Sequence, residues 1–136
     1  MKAVVTAEQG AKPSVSEVPT PRPGAGEVLV RVRASSVNGF DVSVAAGQLA
    51  GMMEHRYPVV LGKDFAGTVE AVGAGVTRFA VGDKVFGVVT KPFLGDGGFG
   101  QYVTVPEDIG IAKLPAGVAA TAAGALGLAG TAAADA

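Results

Sequence analysis

Cysteine and tryptophan are absent from this 136-residue chain, and histidine occurs once, at His55. Without cysteine there is no disulfide framework, and a single histidine excludes a Cys-based or multi-His zinc site within the chain. A dominant charge is missing as well, since 11 Lys and Arg stand against 12 Asp and Glu. No basic stripe follows from that balance, so nucleic acid and anionic membrane surfaces are not expected partners. Strongly apolar runs are also lacking. The stretch poorest in charge, Val118 to Ala136, consists mainly of Ala, Gly and Thr, and is too short and too weakly apolar for a membrane span. No basic n-region and apolar h-region precede the first strand pattern, which makes a cytoplasmic protein the expectation.

What is present is enough for one domain with a core, because almost half of the residues are apolar. Lys2 to Thr6 predicts a short strand, Glu8-Gln9-Gly10 a turn and Ser14 to Val18 the returning strand. Pro19 to Gly26 predicts an ordered surface loop. Glu27 to Ser36 alternates strictly, with Val28, Val30, Val32 and Ala34 facing one way and Leu29, Arg31 and Arg33 the other. That is a half-buried antiparallel strand with solvated arginines. Phe65 to Val72 ends in Gly73-Ala74-Gly75, and Lys84 to Val89 starts directly after Gly82-Asp83. Val, Phe and Thr fill pleats and glycine marks the turns, so pattern alone gives an antiparallel β core that requires no chemistry.

Three pieces recur at one spacing: Gly62 to Gly67 as G-x-D-x-A-G, Val69 to Gly73 as V-x-x-V-G, and Phe79 to Val85 as F-x-x-G-D-x-V. In this order they resemble the catalytic domain of the medium-chain dehydrogenase/reductases. The resemblance implies a mainly β, GroES-like, partly open barrel with short helices and an Ala-rich C-terminal helix. Zinc-dependent members carry V-C-G-x-D and G-H-E where this chain has Val37-Asn38-Gly39-Phe40-Asp41 and Gly62-Lys63-Asp64. Asn38 and Lys63 thus stand in place of two zinc ligands. An amide oxygen is a poor zinc ligand and an ammonium is none, so no metal is expected. What remains resembles the zinc-independent, quinone oxidoreductase-like branch.

That branch implies NADPH as cofactor, a small-molecule acceptor (a quinone, an enone or another α,β-unsaturated carbonyl), and Asn38 beside both nicotinamide and substrate. Two readings of Asn38 stand together, the cleft residue and the cap of a following helix. Asp41 reads as a holder of loop N–H groups, and Lys63 with Asp64 as a local ion pair ahead of a substrate contact. Val42 to Met53 predicts a short helix or irregular loop broken at Gly47 and Gly51. Related reductases often have tyrosine in a G-x-Y triplet of this loop, where Gly47-Gln48-Leu49 cannot donate a proton. Phe40, Gln48, His55, Tyr57 and Phe93 are the candidates for the substrate pocket, although His55 in its charged loop also reads as solvated.

Gly95 to Gly100 satisfies G-x-G-x-x-G, the dinucleotide fingerprint, but Gln101 to Pro106 after it alternates like a strand. Without a helix opening on the glycines the fingerprint has no phosphate site, so it is rejected. Lys91 to Gly98 is expected to be a flexible loop on the substrate side. Val118 to Ala136 predicts an Ala-rich helix broken at Gly124, Gly127 and Gly130. In the family a matching segment crosses into the cofactor domain, and the counterpart of Thr131 approaches the cofactor. Residues 1–117 are therefore expected to form the catalytic domain and 118–136 the start of the interdomain segment. A Rossmann domain of the same protein would be the missing partner, and homo-oligomer formation is expected. The alternative is a stand-alone GroES-like module for binding or self-association. From Asn38 and Lys63 the purified chain is expected to hold no stoichiometric zinc; about one zinc per chain surviving a chelator, read by elemental analysis, would contradict this.

Overall fold

The computed structural model describes residues 1–135. In chain order its elements are β1 (Lys2–Thr6), β2 (Ser14–Glu17), β3 (Glu27–Ala34), α1 (Gly39–Ala45), β4 (Glu54–His55), β5 (Val59–Val60), β6 (Asp64–Val72), β7 (Lys84–Val88), β8 (Phe93–Leu94), β9 (Tyr102–Pro106), β10 (Ile111–Lys113), α2 (Ala120–Ala123) and α3 (Gly127–Asp135). The alternation in β3 places it inside a five-stranded antiparallel sheet of order β10-β7-β6-β3-β9. Val28 and Val30 are fully buried and Val32 packs on the same core, while Arg31 and Arg33 stay exposed. Leu29, on the arginine side, is buried too, so the strand is covered on both faces at its start.

The sheet curls into a half-barrel, with two irregularities in the β3–β6 register, at Leu29/Val30 and Val32/Ala34. Bulges of this kind bend a strand and increase its twist. Phe65, Val69, Val85, Val89, Val103 and Val105 fill the concave side with Val28, Val30 and Phe79. A smaller sheet, β2-β1-β5, continues the barrel, and a third pair, β4 with β8, is parallel. Val44, Val59, Leu61 and Leu94 form a second core beneath α1.

One expectation is corrected here, and a second holds in part. Lys91–Gly98 is not an open loop: it contains β8, and Lys91, Leu94, Gly95, Gly97 and Gly98 are buried. Lys91 is held by Glu27, Asp96 and Thr104. The Ala-rich segment is interrupted between Gly124 and Gly127 as expected, giving two helices, whereas Gly130 is not a break. Gly124 closes α2, and its absent side chain leaves room for Ala34 Cβ, which a Cβ at Gly124 would approach to 2.7 Å. Gly127 opens α3 against the Gly87 carbonyl, and Gly130 lies inside the helix. Ala136, the expected end of the helix, lies outside the described residues. No helix among the described residues is long and apolar enough to cross a membrane.

The rejected fingerprint is not a helix start, since Gly100 is followed by β9. Gly97 and Gly98 instead lie against the carbonyls of Val60, Leu61 and Asp64. A similar close approach decides Gly67, whose Cβ would land on the Arg31 carbonyl. Gly67→Ala is therefore expected to destabilise the domain by about 3 kcal/mol through forced separation of β3 and β6. Urea unfolding would read this as a lowered midpoint at unchanged slope, and an unchanged midpoint would contradict it.

Candidate active site

Strand β3 ends at Ala34 and releases the chain into Ser35-Ser36-Val37-Asn38 before α1 begins. Asn38 stands at the N-cap position in extended backbone. Asp41, at the third helical position, accepts the Asn38 N–H at 2.8 Å through Oδ2 and so holds the loop backbone as expected. The Asn38 amide nitrogen is directed elsewhere, donating to Asp64 Oδ2 at 3.0 Å and lying 3.5 Å from Ser36 Oγ. The two readings of this residue are thus compatible. Its backbone caps the helix while its side chain is fixed beside a buried carboxylate.

Asp64 is fully buried at the start of β6. Oδ2 also receives the Ser36 hydroxyl, Oδ1 accepts the Leu128 N–H at 2.7 Å, and the Asp64 carbonyl accepts Ser35 Oγ at 2.6 Å. The expected ion pair with Lys63 is not formed. Lys63 turns to the Val89 carbonyl, at 3.2 Å, and its ammonium lies 5.0 Å from the Phe40 ring centroid. Burial lowers the Lys63 ammonium below its ordinary range, with the Asp41 carboxylate opposing the shift. Burial likewise raises the Asp41 carboxyl; the Asn38 N–H pulls it back, and the neighbouring Asp64 raises it further.

Asn38 and Phe40 therefore share one cluster with Asp41, Lys63 and Asp64. The other pocket candidates form a second group around β4 and β8. His55 stacks on Tyr57 at 5.8 Å, and Arg56 lies 3.6 Å from the Phe93 ring centroid while pairing with Glu54. His55 is not simply solvated: Nδ1 lies 2.8 Å from the Met53 carbonyl, and Nε2 is buried without a partner among the described residues. Gln48 is exposed in the turn after α1. Thr131 lies in α3 and donates to the Gly127 carbonyl at 2.6 Å. Ser36 is absent from the sequence-based candidates, and Asp64 enters there only beside Lys63, not as the partner of Asn38. The available signal was a carboxylate between the apolar runs Val59–Leu61 and Phe65–Ala66, since a charge buried there must find donors.

No group of three or more His, Cys, Asp or Glu residues able to hold a metal ion occurs among the described residues. The space behind α1, lined by Phe40, Asp41 and Lys63 among others, is only about 10 Å³. It is at the limit for one water and is no substrate chamber.

A barrel of this topology with such a cluster defines a GroES-like domain. The family model for the alcohol dehydrogenase GroES-like domain matches residues 24–116. The chain belongs to that family, within the medium-chain dehydrogenase/reductase superfamily. It is 35% identical over 114 residues to the chloroplast envelope quinone oxidoreductase homolog of Arabidopsis thaliana, covering 84% of this chain and 34% of that protein. It is 39% identical over 128 residues to the trans-enoyl reductase FMN2 of Fusarium mangiferae, covering 94% of this chain and 31% of the relative. Among solved structures, mycobacterial Rv1454c complexed with NADPH superposes with a TM-score of 0.72 at 32% identity, over 88% of this chain and 35% of its own. The chain thus spans about a third of the length of these two relatives.

The lowered Lys63 fixes a pH dependence. Between its folded pKa and 10.5 the unfolded chain binds the extra proton, so this residue's contribution to stability rises with pH across that window. Lys63→Met is expected to stabilise the domain at neutral pH, with the gain over wild type shrinking as pH approaches the ordinary lysine value. Urea unfolding of both proteins at neutral and alkaline pH checks this, and a pH-independent difference would refute it.

Proposed function

We propose that this chain is the substrate-side half of a metal-independent, NADPH-dependent cytoplasmic oxidoreductase that reduces a quinone, an enone or another α,β-unsaturated carbonyl. The observation that carries this reading is the pair Asn38 and Lys63, an oriented amide and a half-buried ammonium at the positions where the zinc branch has metal ligands. The domain division at 1–117 and 118–136 belongs to the same reading, with α2 and α3 leading towards a cofactor domain. Nucleic acid and membrane have no part in it. Self-association of the protein does, with the exposed Ala132 to Ala134 side of α3 as one available surface.

The residues present fit half of a nicotinamide site. Asn38 offers a rotationally fixed amide, and Phe40 lies beside it in α1. A phosphate cradle is not among the fitting parts, because the glycines at 95–100 are packed against other backbone. The dinucleotide, when bound, supplies hydride from its nicotinamide ring. Asn38 holds substrate and ring in register, which is a gain of orientation. Lys63, whose ammonium lies 5.0 Å from the Phe40 ring centroid, would supply positive charge to an acceptor held beside Phe40. Solvent delivers the proton, since Leu49 cannot.

The test is steady-state NADPH oxidation with benzoquinone and an enone, using this chain joined to its cofactor domain. Asn38→Ala is expected to lower kcat by about 10- to 100-fold, with chelators having no effect. Undiminished kcat in that variant would sink the assignment. Residues 1–136 alone are expected not to bind NADPH tightly, and micromolar binding by calorimetry would remove the argument for a separate phosphate-binding domain.

A further inference from the structure

One carboxylate holds both the loop that carries Asn38 and the helix that leaves the domain. Oδ2 of Asp64 receives Ser36 Oγ and Asn38 Nδ2, and Oδ1 receives the Leu128 N–H at the start of α3. We propose that Asp64 is a positioning residue that couples the orientation of the Asn38 amide to the docking of α3. A shift of the helix then turns the side chain at the cleft, and a ligand on Asn38 tightens or loosens the helix.

Three features leave the carboxylate little independent freedom. Its own carbonyl is tied to Ser35 Oγ at 2.6 Å, so the backbone beneath it is fixed. Gly127 lies so close that a Cβ there would come within 2.8 Å of Oδ1. No part of the side chain reaches water, so a donor lost on one oxygen is not replaced by solvent. The two oxygens belong to one planar group, and rotating it to follow Leu128 moves the oxygen that Asn38 and Ser36 share. Because such a coupling is a free-energy difference between sites, it acts equally in both directions. Its consequence for hydride transfer rests on the place proposed above for Asn38. The coupling between Asn38 and Leu128 does not.

Backbone amide exchange by NMR on residues 1–136 tests the coupling itself. The Leu128 N–H is the reporter, and the Val69 N–H, bonded to Asp83 in the sheet, is the control for overall stability. Asp64→Asn is expected to accelerate Leu128 exchange by about tenfold relative to Val69. Asn38→Ala, which removes a side chain bonded to Asp64 and not to α3, is expected to accelerate it selectively by about fivefold. In the reverse direction, Gly127→Ala is expected to shift the side-chain amide resonances of Asn38. Should Asp64→Asn fail to fold, Asn38→Ala and Ser36→Ala still remove one partner each and carry the test. No selective acceleration at Leu128 in Asn38→Ala, whether its rate is unchanged or follows Val69, would overturn the proposal. Coupled exchange together with undiminished hydride transfer in Asn38→Ala would leave the coupling standing and refute only the catalytic reading.

Discussion

A carboxylate fully removed from water dictates the arrangement around it. Burying an unpaired charge is far more costly than any single packing contact in a domain of this size. Asp64 is buried at the mouth of β6 with donors on both oxygens. Hydrogen bonds to a charged group contribute about 1.5–3 kcal/mol each, comparable to burying a large apolar side chain. The conformation of Ser35–Asn38 and the start of α3 therefore follow from one residue's need for partners. Neither segment would hold its place by hydrophobic burial alone, since Asn38 is only half-buried and most of α3 is exposed.

Close backbone approach is the second constraint, and it explains the composition. Gly67 lets β3 and β6 meet along the curl, while Gly124 and Gly127 let helices sit directly on strand backbone. A short, Ala-rich helix has little apolar area to bury, so contact distance has to compensate for contact size. Ala123 is fully buried in this way although its side chain is one methyl group. Glycine there serves docking as well as the helix break: small residues in this segment permit close packing, and the structure shows which strands they meet.

The identity of such partners separates what could be read in the sequence from what could not. Strands β3, β6 and β7 were legible because alternation and turn glycines are local signals. The motif spacing gave the GroES-like barrel, and the false fingerprint at Gly95–Gly100 was recognisable from the strand pattern after it. Lys91–Gly98 was not legible as packed structure, because its burial depends on Glu27 and Thr104, far away in sequence. Lys63 and Asp64 misled for a related reason. Adjacent opposite charges suggest a pair, but neighbouring residues at a strand entrance point to different sides, and each found a distant partner instead. Two of the sequence-based candidates, Asn38 and Phe40, lie in one cluster; the link from Asn38 to Asp64 was not legible, because the identity of a buried charge's donors is a tertiary fact.

Lys63 and Asp41 show that the cluster is not arranged for stability. Burial disfavours the charged form of each, lowering one pKa and raising the other, and each also feels the opposite charge. An apolar residue at position 63 would satisfy the packing around Phe40 without that penalty, and the Val89 carbonyl has its own access to other donors only if water enters. A domain that holds an ammonium under those conditions is spending stability on electrostatics, a cost often met at functional sites and sometimes in purely structural ion networks. The same cluster limits what the chain does by itself. It fixes charge and orientation around Asn38, and the space of about 10 Å³ behind α1 is too small to hold a substrate. On the proposed reading, a ligand at Asn38 would be completed by a surface from outside the barrel, and α3, bound to the same carboxylate, would be the part of the chain placed to sense it.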